Sequence, residues 1–196
     1  MKLFHSPTSP YVRKVMAVAI AGGLKDRITL LNTNPHASPP ELLAQNPLSR
    51  VPCLLTEDGV ALFDSPVICE YLDSIGDSTV FPPHGPARWR ALRQQALGDG
   101  MMDAAVGRRL EQARPQEAAR DAAMERQRGV VQRGLDALEA APPADHLDIG
   151  AITIACTLGY LDFRFADEDW RGGRPKLAQW YAAMQQRPEI ADTAPA

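Results

Sequence analysis

The sequence predicts a small α/β domain followed by an all-helical one. Up to residue 78, short apolar runs suited to strands alternate with helical periodicity. From Ala87 onward the chain reads as long helical stretches rich in Ala, Arg, Gln and Leu, with no convincing strand. Between the two, FPPHGP has the Pro and Gly content of a linker. With 196 residues, 45% of them hydrophobic, there is ample apolar surface for a packed core.

The elements follow in order. KLFH is a short strand, and YVRKVMAVAIAGG is an apolar helix closed by Gly22-Gly23. Ser9-Pro10 opens that helix: the Ser hydroxyl accepts a backbone N–H as N-cap, and Pro gives up only an N–H that had no partner. The same hydroxyl has a second possible use, donating outward to an anion at the positive end of the helix. RITLLNT is a second strand, and the polar, Pro-rich NPHASPPELLAQNP is a loop. Then come the strand VPCLLT, the turn EDG, the strand VALF, and a helix at DSPVICEYLDSIG that opens as the first one does.

Four helices are expected in the second half: ARWRALRQQALGDGMMDAAVGRRLEQA, QEAARDAAMERQRGVVQRGLDALEA, DIGAITIACTLGYLDFRFA and RPKLAQWYAAMQQ. The Arg and Glu stripes of the first two read as solvated faces with i,i+4 pairs. The third is apolar throughout and suits the centre of a bundle. Asp145 is its expected N-cap, with Asp148 three residues on, as in a capping box; a catalytic carboxylate is the alternative use of either. Gly98, Gly100 and Gly107 weaken the first of these helices unless close packing, a bend or a subunit contact uses them.

Composition narrows the function. A net charge of -3 carries no basic footprint, so nucleic acid is not an expected partner. No apolar run reaches the ~20 residues of a membrane span, and MKLFHSPTSP lacks the apolar run of a signal peptide, so a cytoplasmic protein is expected. Cys53, Cys69 and Cys156 are odd in number, widely spaced and set among apolar residues, which reads as buried free thiols in preference to a disulfide. Four scattered histidines, His5, His36, His84 and His146, show no metal-ligand spacing, and there is no nucleotide-binding glycine loop.

Three features of the first domain combine into a site. Ser9-Pro10 and Asp64-Ser65-Pro66 start two helices, each with free N–H groups and a partial positive charge. Val51-Pro52 stands at a strand start; a cis bond there turns the Val51 N–H and C=O outward, able to hold a peptide-like ligand as an extra strand. Asp64 adds a carboxylate suited to an ammonium. A ligand with a carboxylate, an amine, a backbone-like amide and a further acidic group matches all three, and glutathione has that chemistry.

The stretches SPTSPYVRKV, NPLSRVPCLL, FDSPVICEYLD, ALGDGMMDAAV followed by EQARP, and IACTLGYLDFR together resemble the cytosolic glutathione S-transferases, most closely their bacterial YibF-like branch. The likeness covers nearly the whole chain. It implies a thioredoxin-like domain at 1–78 carrying the glutathione site, a linker at 79–86 and an α-helical domain at 87–196 that shapes the site for a second substrate. Residue by residue, it implies that Ser9 meets the glutathione sulfur, with Thr8 a rival hydroxyl. Val51, before a cis Pro52, holds the cysteinyl backbone; Asp64 and Ser65 bind the γ-glutamyl amine and carboxylate; Arg50 reaches the glycine carboxylate. Asn34 and His36 are the nearest polar candidates where the family's usual basic residue is absent. Met101 and Met102 either line an apolar pocket between the domains or pack the core, and Asp99 is placed to face glutathione from a partner subunit.

The implied activity is a serine-type transferase using glutathione as co-substrate, without a metal. It would conjugate glutathione to a small apolar electrophile, as in detoxification, or run a related dehalogenation, isomerisation or peroxide reduction, as a homodimer. Ser9 in place of the cysteine of other members disfavours thiol-disulfide exchange, since a hydroxyl forms no mixed disulfide. Cys53, beside Pro52, reads as core. The alternative of a different class is a non-catalytic glutathione-binding or protein-interaction module of the same fold.

Overall fold

The computed structural model describes residues 1–77 and 79–195. Ser78 and Ala196, where the two expected domains end, lie outside the described residues. The first elements are β1 (Lys2–His5), α1 (Pro10–Ala21), β2 (Thr29–Asn32), α2 (Pro40–Leu43), β3 (Cys53–Leu55), β4 (Ala61–Leu62) and α3 (Ser65–Ile75). They form a four-stranded sheet of order β2-β1-β3-β4. β1 and β2 are parallel, with Leu3 opposite Leu30, and α1 is the crossover that a parallel pair requires. β3 lies antiparallel to β1, with Phe4 opposite Cys53, and β4 antiparallel to β3, with Leu54 opposite Leu62.

Alternation along the strands covers both faces of the sheet. Leu3 and Leu54 are fully buried, as are Val15 of α1 and Ile68 and Leu72 of α3. One residue on, Phe4 and Cys53 form the opposite cluster with Leu42 of α2, flanked by Leu31, Val51, Ala61 and Phe63. The ends of α1 and α3 meet through glycine: a Cβ on Gly76 would stand 3.0 Å from the Gly22 Cα. This is the thioredoxin-like half that the sequence implies. The short α2 and a 3-10 turn at Pro35–Ala37 fall where only loop was expected, and a second 3-10 turn, Lys25–Arg27, takes the residue at which the second strand was expected to begin.

The second half consists of α4 (Gly85–Glu111), α5 (Ala118–Ala140), α6 (Ile149–Arg164) and α7 (Pro175–Met184), followed by the short α8 (Pro188–Ala191). α6 is buried from Ile149 to Leu161, as its unbroken apolar pattern predicts. Gly98 lets α4 close on it: the Thr157 hydroxyl donates to the Gly98 carbonyl at 3.2 Å, and a Cβ on Gly98 would lie 2.7 Å from Thr153 Cγ2. The expected cap is corrected. Asp148, not Asp145, is the N-cap, accepting from the Ala151 N–H at 2.8 Å. Asp145 lies in the preceding turn, too far upstream to reach the first free N–H groups, whereas a cap carboxylate must sit directly before the helix.

The chain divides into two compact units, Met1–Arg88 with the segment from Pro188 onward, and Trp89–Arg187. The division differs from the expected linker at 79–86 and helical domain at 87–196, because α4 already begins at Gly85 and the C-terminal segment returns to the first unit. There Ile190 is buried, and the Arg13 Nη2 of α1 donates to its carbonyl at 3.0 Å. Among the described residues, no helix is long and apolar enough to cross a membrane.

Candidate functional site

The sheet register brings the three sequence features to one edge. β1 ends at His5 and leads through residues 6–8 to Ser9. β3 runs the other way beside it, so Val51-Pro52, just before Cys53, starts where β1 ends. β4 is antiparallel to β3, so Phe63-Asp64 follows it back to that same end. Ser9, Val51, Pro52, Asp64 and Ser65, separated by up to 56 positions in the chain, thus share one sheet end because strand directions alternate across β1, β3 and β4.

Ser9 is the N-cap of α1, and its Oγ accepts from the Val12 N–H at 3.3 Å. The cap and the outward donor are therefore compatible uses of one hydroxyl. The cap occupies a lone pair, while the O–H, half-exposed, has no acceptor among the described residues. Thr8 stands one residue outside the cap and makes no bond within it. His5, nearby at the end of β1, is held below its ordinary pKa by burial, so at neutral pH it adds no positive charge to this edge.

The Val51-Pro52 bond is cis, as is the Phe63-Asp64 bond. Neither the N–H nor the C=O of Val51 has a partner among the described residues, which leaves one donor and one acceptor free for an extended backbone. Asp64 stands at the N-cap position of α3 without making a side-chain cap bond, and its carboxylate is exposed with no cation paired to it among the described residues. Ser65 follows as the first residue of α3, 2% exposed, with its N–H at the unsatisfied end of the helix.

The loop before Val51 is tied by a residue that sequence reasoning missed. Asn46, 2% exposed, accepts from the Leu48 N–H through Oδ1 at 3.0 Å and donates through Nδ2 to the Arg50 carbonyl at 2.9 Å. Its signal was the Asn-Pro pair at 46–47, a turn-starting dipeptide whose amide side chain bonds local backbone. The Arg50 side chain is exposed. Asn34 caps the turn at Pro35–Ala37, accepting from the His36 N–H at 3.1 Å, and Ser49 Oγ donates to the Pro35 carbonyl at 3.0 Å. The Asn34 side chain is thus engaged in its own turn, and that turn adjoins the loop carrying Arg50.

Other candidates belong to different surroundings. Met101 and Met102 are both buried in the second unit, and a Cβ on Gly134 of α5 would stand 2.5 Å from the Met101 sulfur. Asp99, half-exposed on α4, is also in that unit and has an interaction of its own. Cys53 is fully buried, and burial pushes its thiol up from 9.0 to about 11, which leaves it protonated and unreactive at neutral pH. Cys69 and Cys156 are buried free thiols as well. Among the described residues, no group of three or more His, Cys, Asp or Glu side chains is placed to hold a metal ion.

Comparison with known proteins gives this edge a context. Residues 8–75 match the glutathione S-transferase N-terminal domain, and residues 121–183 match the glutathione S-transferase C-terminal domain. The GST-like protein YibF of Escherichia coli K12 is 35% identical over 201 residues, covering 100% of this chain and 98% of that one. A glutathione transferase family member from Pseudomonas fluorescens Pf-5, with bound glutathione, superposes with a TM-score of 0.94 at 43% identity, over 100% of this chain and 98% of that chain. A structure of a family member from the same organism with bound S-(propanoic acid)-glutathione gives 0.90 at 42% identity, covering 100% of both chains. The chain belongs to the glutathione S-transferase family, in its YibF-like branch.

Proposed function

We propose that the chain binds glutathione along this sheet edge, stabilises its thiolate with Ser9 and transfers it to a small apolar electrophile. The observation that carries the reading is the state of the Ser9 hydroxyl: its lone pair caps α1 while its O–H, at the positive end of the helix, has no acceptor among the described residues. In this reading the cysteinyl N–H and C=O pair with Val51, the γ-glutamyl ammonium with Asp64, its carboxylate with the Ser65 end of α3, and the glycine carboxylate with Arg50.

Ser9 then acts on the sulfur. A free thiol has a pKa of about 8.5 and is mostly protonated at neutral pH. A hydrogen bond to a charged group contributes about 1.5–3 kcal/mol and a helix N-terminus about 0.3–1 kcal/mol, enough together to lower it by about two units. The thiol proton leaves to solvent, and the sulfur lone pair forms a C–S bond to the electrophilic carbon. A leaving group departs with its bonding pair or, at an activated double bond, the adjacent carbon takes up a proton. The Pseudomonas fluorescens family member with bound S-(propanoic acid)-glutathione supports this class of chemistry, since a sulfur-substituted glutathione is what conjugation yields.

The same reading includes a homodimer in the cytoplasm, with detoxification as the role. Gly100 supports the dimer: it lies inside α4 beside Leu97, Met101, Val130 and Gly134 in an apolar groove, and beyond its chain neighbours and its own helix backbone nothing among the described residues comes within 4 Å of where its Cβ would be. A helix-interior glycine costs about 1 kcal/mol relative to alanine, so an approaching second copy would account for it. Three buried free thiols fit a reducing compartment. The test of the central claim is the ultraviolet difference spectrum of bound glutathione across pH, with calorimetric affinity alongside. A thiolate band at neutral pH supports the transferase; tight binding without one makes the chain a glutathione-binding module.

A further inference from the structure

We propose that Arg13 is a positioning residue for Ser9, coupling the first turn of α1 to the C-terminal segment; the inference rests on Ser9 acting at the glutathione sulfur. Arg13 is bonded at both ends. Its backbone N–H donates to the Ser9 carbonyl at 3.1 Å, the first hydrogen bond of the helix. Its side chain, 7% exposed, donates through Nη2 to the Ile190 carbonyl at 3.0 Å and through Nε to Thr193 Oγ1 at 3.4 Å. The Thr193 hydroxyl in turn donates to the Glu189 carbonyl at 2.8 Å, closing the segment on itself. A continuous path of hydrogen bonds therefore runs from residues 189–193 to the carbonyl of the residue that meets the sulfur.

Two physical reasons give this path a function. α1 has 12 residues, a length at which an isolated helix is marginal in water, and the first turn is the part that frays. Among the described residues Ser9 bonds across that turn to Val12 through its hydroxyl and to Arg13 through its carbonyl, so holding Arg13 holds the backbone from which the Ser9 hydroxyl projects. Stability alone does not account for the residue. The guanidinium is buried with no carboxylate paired to it among the described residues, and its Nη1 is buried without any partner. A buried cation in that condition is generally no more stabilising than an apolar side chain of similar size. Lys14 on the same helix and Glu189 on α8 have interactions of their own.

The experiment uses the full chain with Arg13→Met and Arg13→Lys, each alone and combined with Ser9→Ala. It reads the pKa of bound glutathione's thiol, the melting temperature, and amide hydrogen exchange at Val12 and Arg13. Arg13→Met is expected to raise the thiol pKa by about one unit, speed exchange at both amides and leave the melting temperature unchanged or higher. In the Ser9→Ala background it adds no further rise, because the effect passes through Ser9. A wild-type thiol pKa in Arg13→Met overturns the inference, as does an equal rise in the Ser9→Ala background. Should Arg13→Met fail to fold, Arg13→Lys decides: a flexible ammonium lacks the planar fork that holds Ile190 and Thr193 through Nη2 and Nε in one fixed geometry, so about a threefold loss of thiolate at pH 7 is expected, and a wild-type fraction overturns the inference. Should the wild type itself show no thiolate band, the Ser9 reading fails first; amide exchange then tests the coupling, and unchanged protection in both variants overturns it.

Discussion

On the proposed reading Ser9→Ala removes two interactions at once, the cap bond seen in the structure and the proposed bond to sulfur. The cap bond from the Val12 N–H is long at 3.3 Å, so its loss falls at the lower part of the usual range, about 0.5–1 kcal/mol of stability. For a chain of this length that lowers the melting temperature by about 1–4 °C. The outward hydrogen bond to sulfur is the larger effect on function. With it, a bound thiol near pKa ~6.5 is about three-quarters ionised at pH 7. Without it, only the helix end acts, the pKa rises to about 8, and the ionised fraction falls to about one-tenth, roughly an eightfold loss. The thiolate absorbance of bound glutathione, titrated between pH 5 and about 10 at saturating ligand, reads this directly. Calorimetric affinity should change little, because in the proposed reading Val51, Asp64 and Ser65 hold the rest of the molecule. Thr8→Ala, which leaves the cap bond in place, should titrate as wild type. A Ser9→Ala protein with the wild-type thiol pKa and only the lower melting temperature would reduce Ser9 to a helix cap.

Asp64→Asn should weaken glutathione binding by about 10–100-fold while leaving the melting temperature unmoved, since Asp64 makes no cap bond; a large loss of stability would show that the carboxylate serves the fold instead. Cys53 titrates near 11 when folded and near 9.0 when unfolded, so the folded state keeps its proton to higher pH. Its contribution is full below pH 9.0 and is lost as the pH rises through about 11, up to about 2–3 kcal/mol. Urea unfolding at pH 8 and about 10.5 should show this extra loss in wild type relative to Cys53→Ala, and parallel losses would refute it. Gly98→Ala forces a Cβ to within 2.7 Å of Thr153 and should destabilise by about 1–2 kcal/mol net of its helix-propensity gain. Gly100→Ala meets nothing in its own chain and should stabilise the monomer by about 0.5–1 kcal/mol while weakening the dimer in sedimentation; an unchanged dimer constant removes Gly100 from the subunit contact.

By itself the sequence determined what is local. Strand and helix signals, the Pro-marked starts of α1 and α3, the buried run of α6 and the end of α1 at Gly22 all depend on neighbours a few positions away, where periodicity and capping chemistry act. The Ser9, Val51-Pro52 and Asp64-Ser65 features were legible for that reason. Their meeting at one edge was not, because it follows from β3 running antiparallel to β1, a pairing between residues about 50 positions apart, even though the β3–β4 hairpin is local. The same limit explains Asp145 and the C-terminal boundary. Of two carboxylates three residues apart the pattern pointed to Asp145, and only backbone geometry selects Asp148; nothing near residue 190 announces that its carbonyl will meet Arg13, 177 positions away. Tertiary structure alone decided that Met101 and Met102 are buried, that Cys53 holds its proton, and that the Ile190 carbonyl accepts from Arg13 of the first helix. These depend on which groups lose water, and that is fixed only when distant segments close over them.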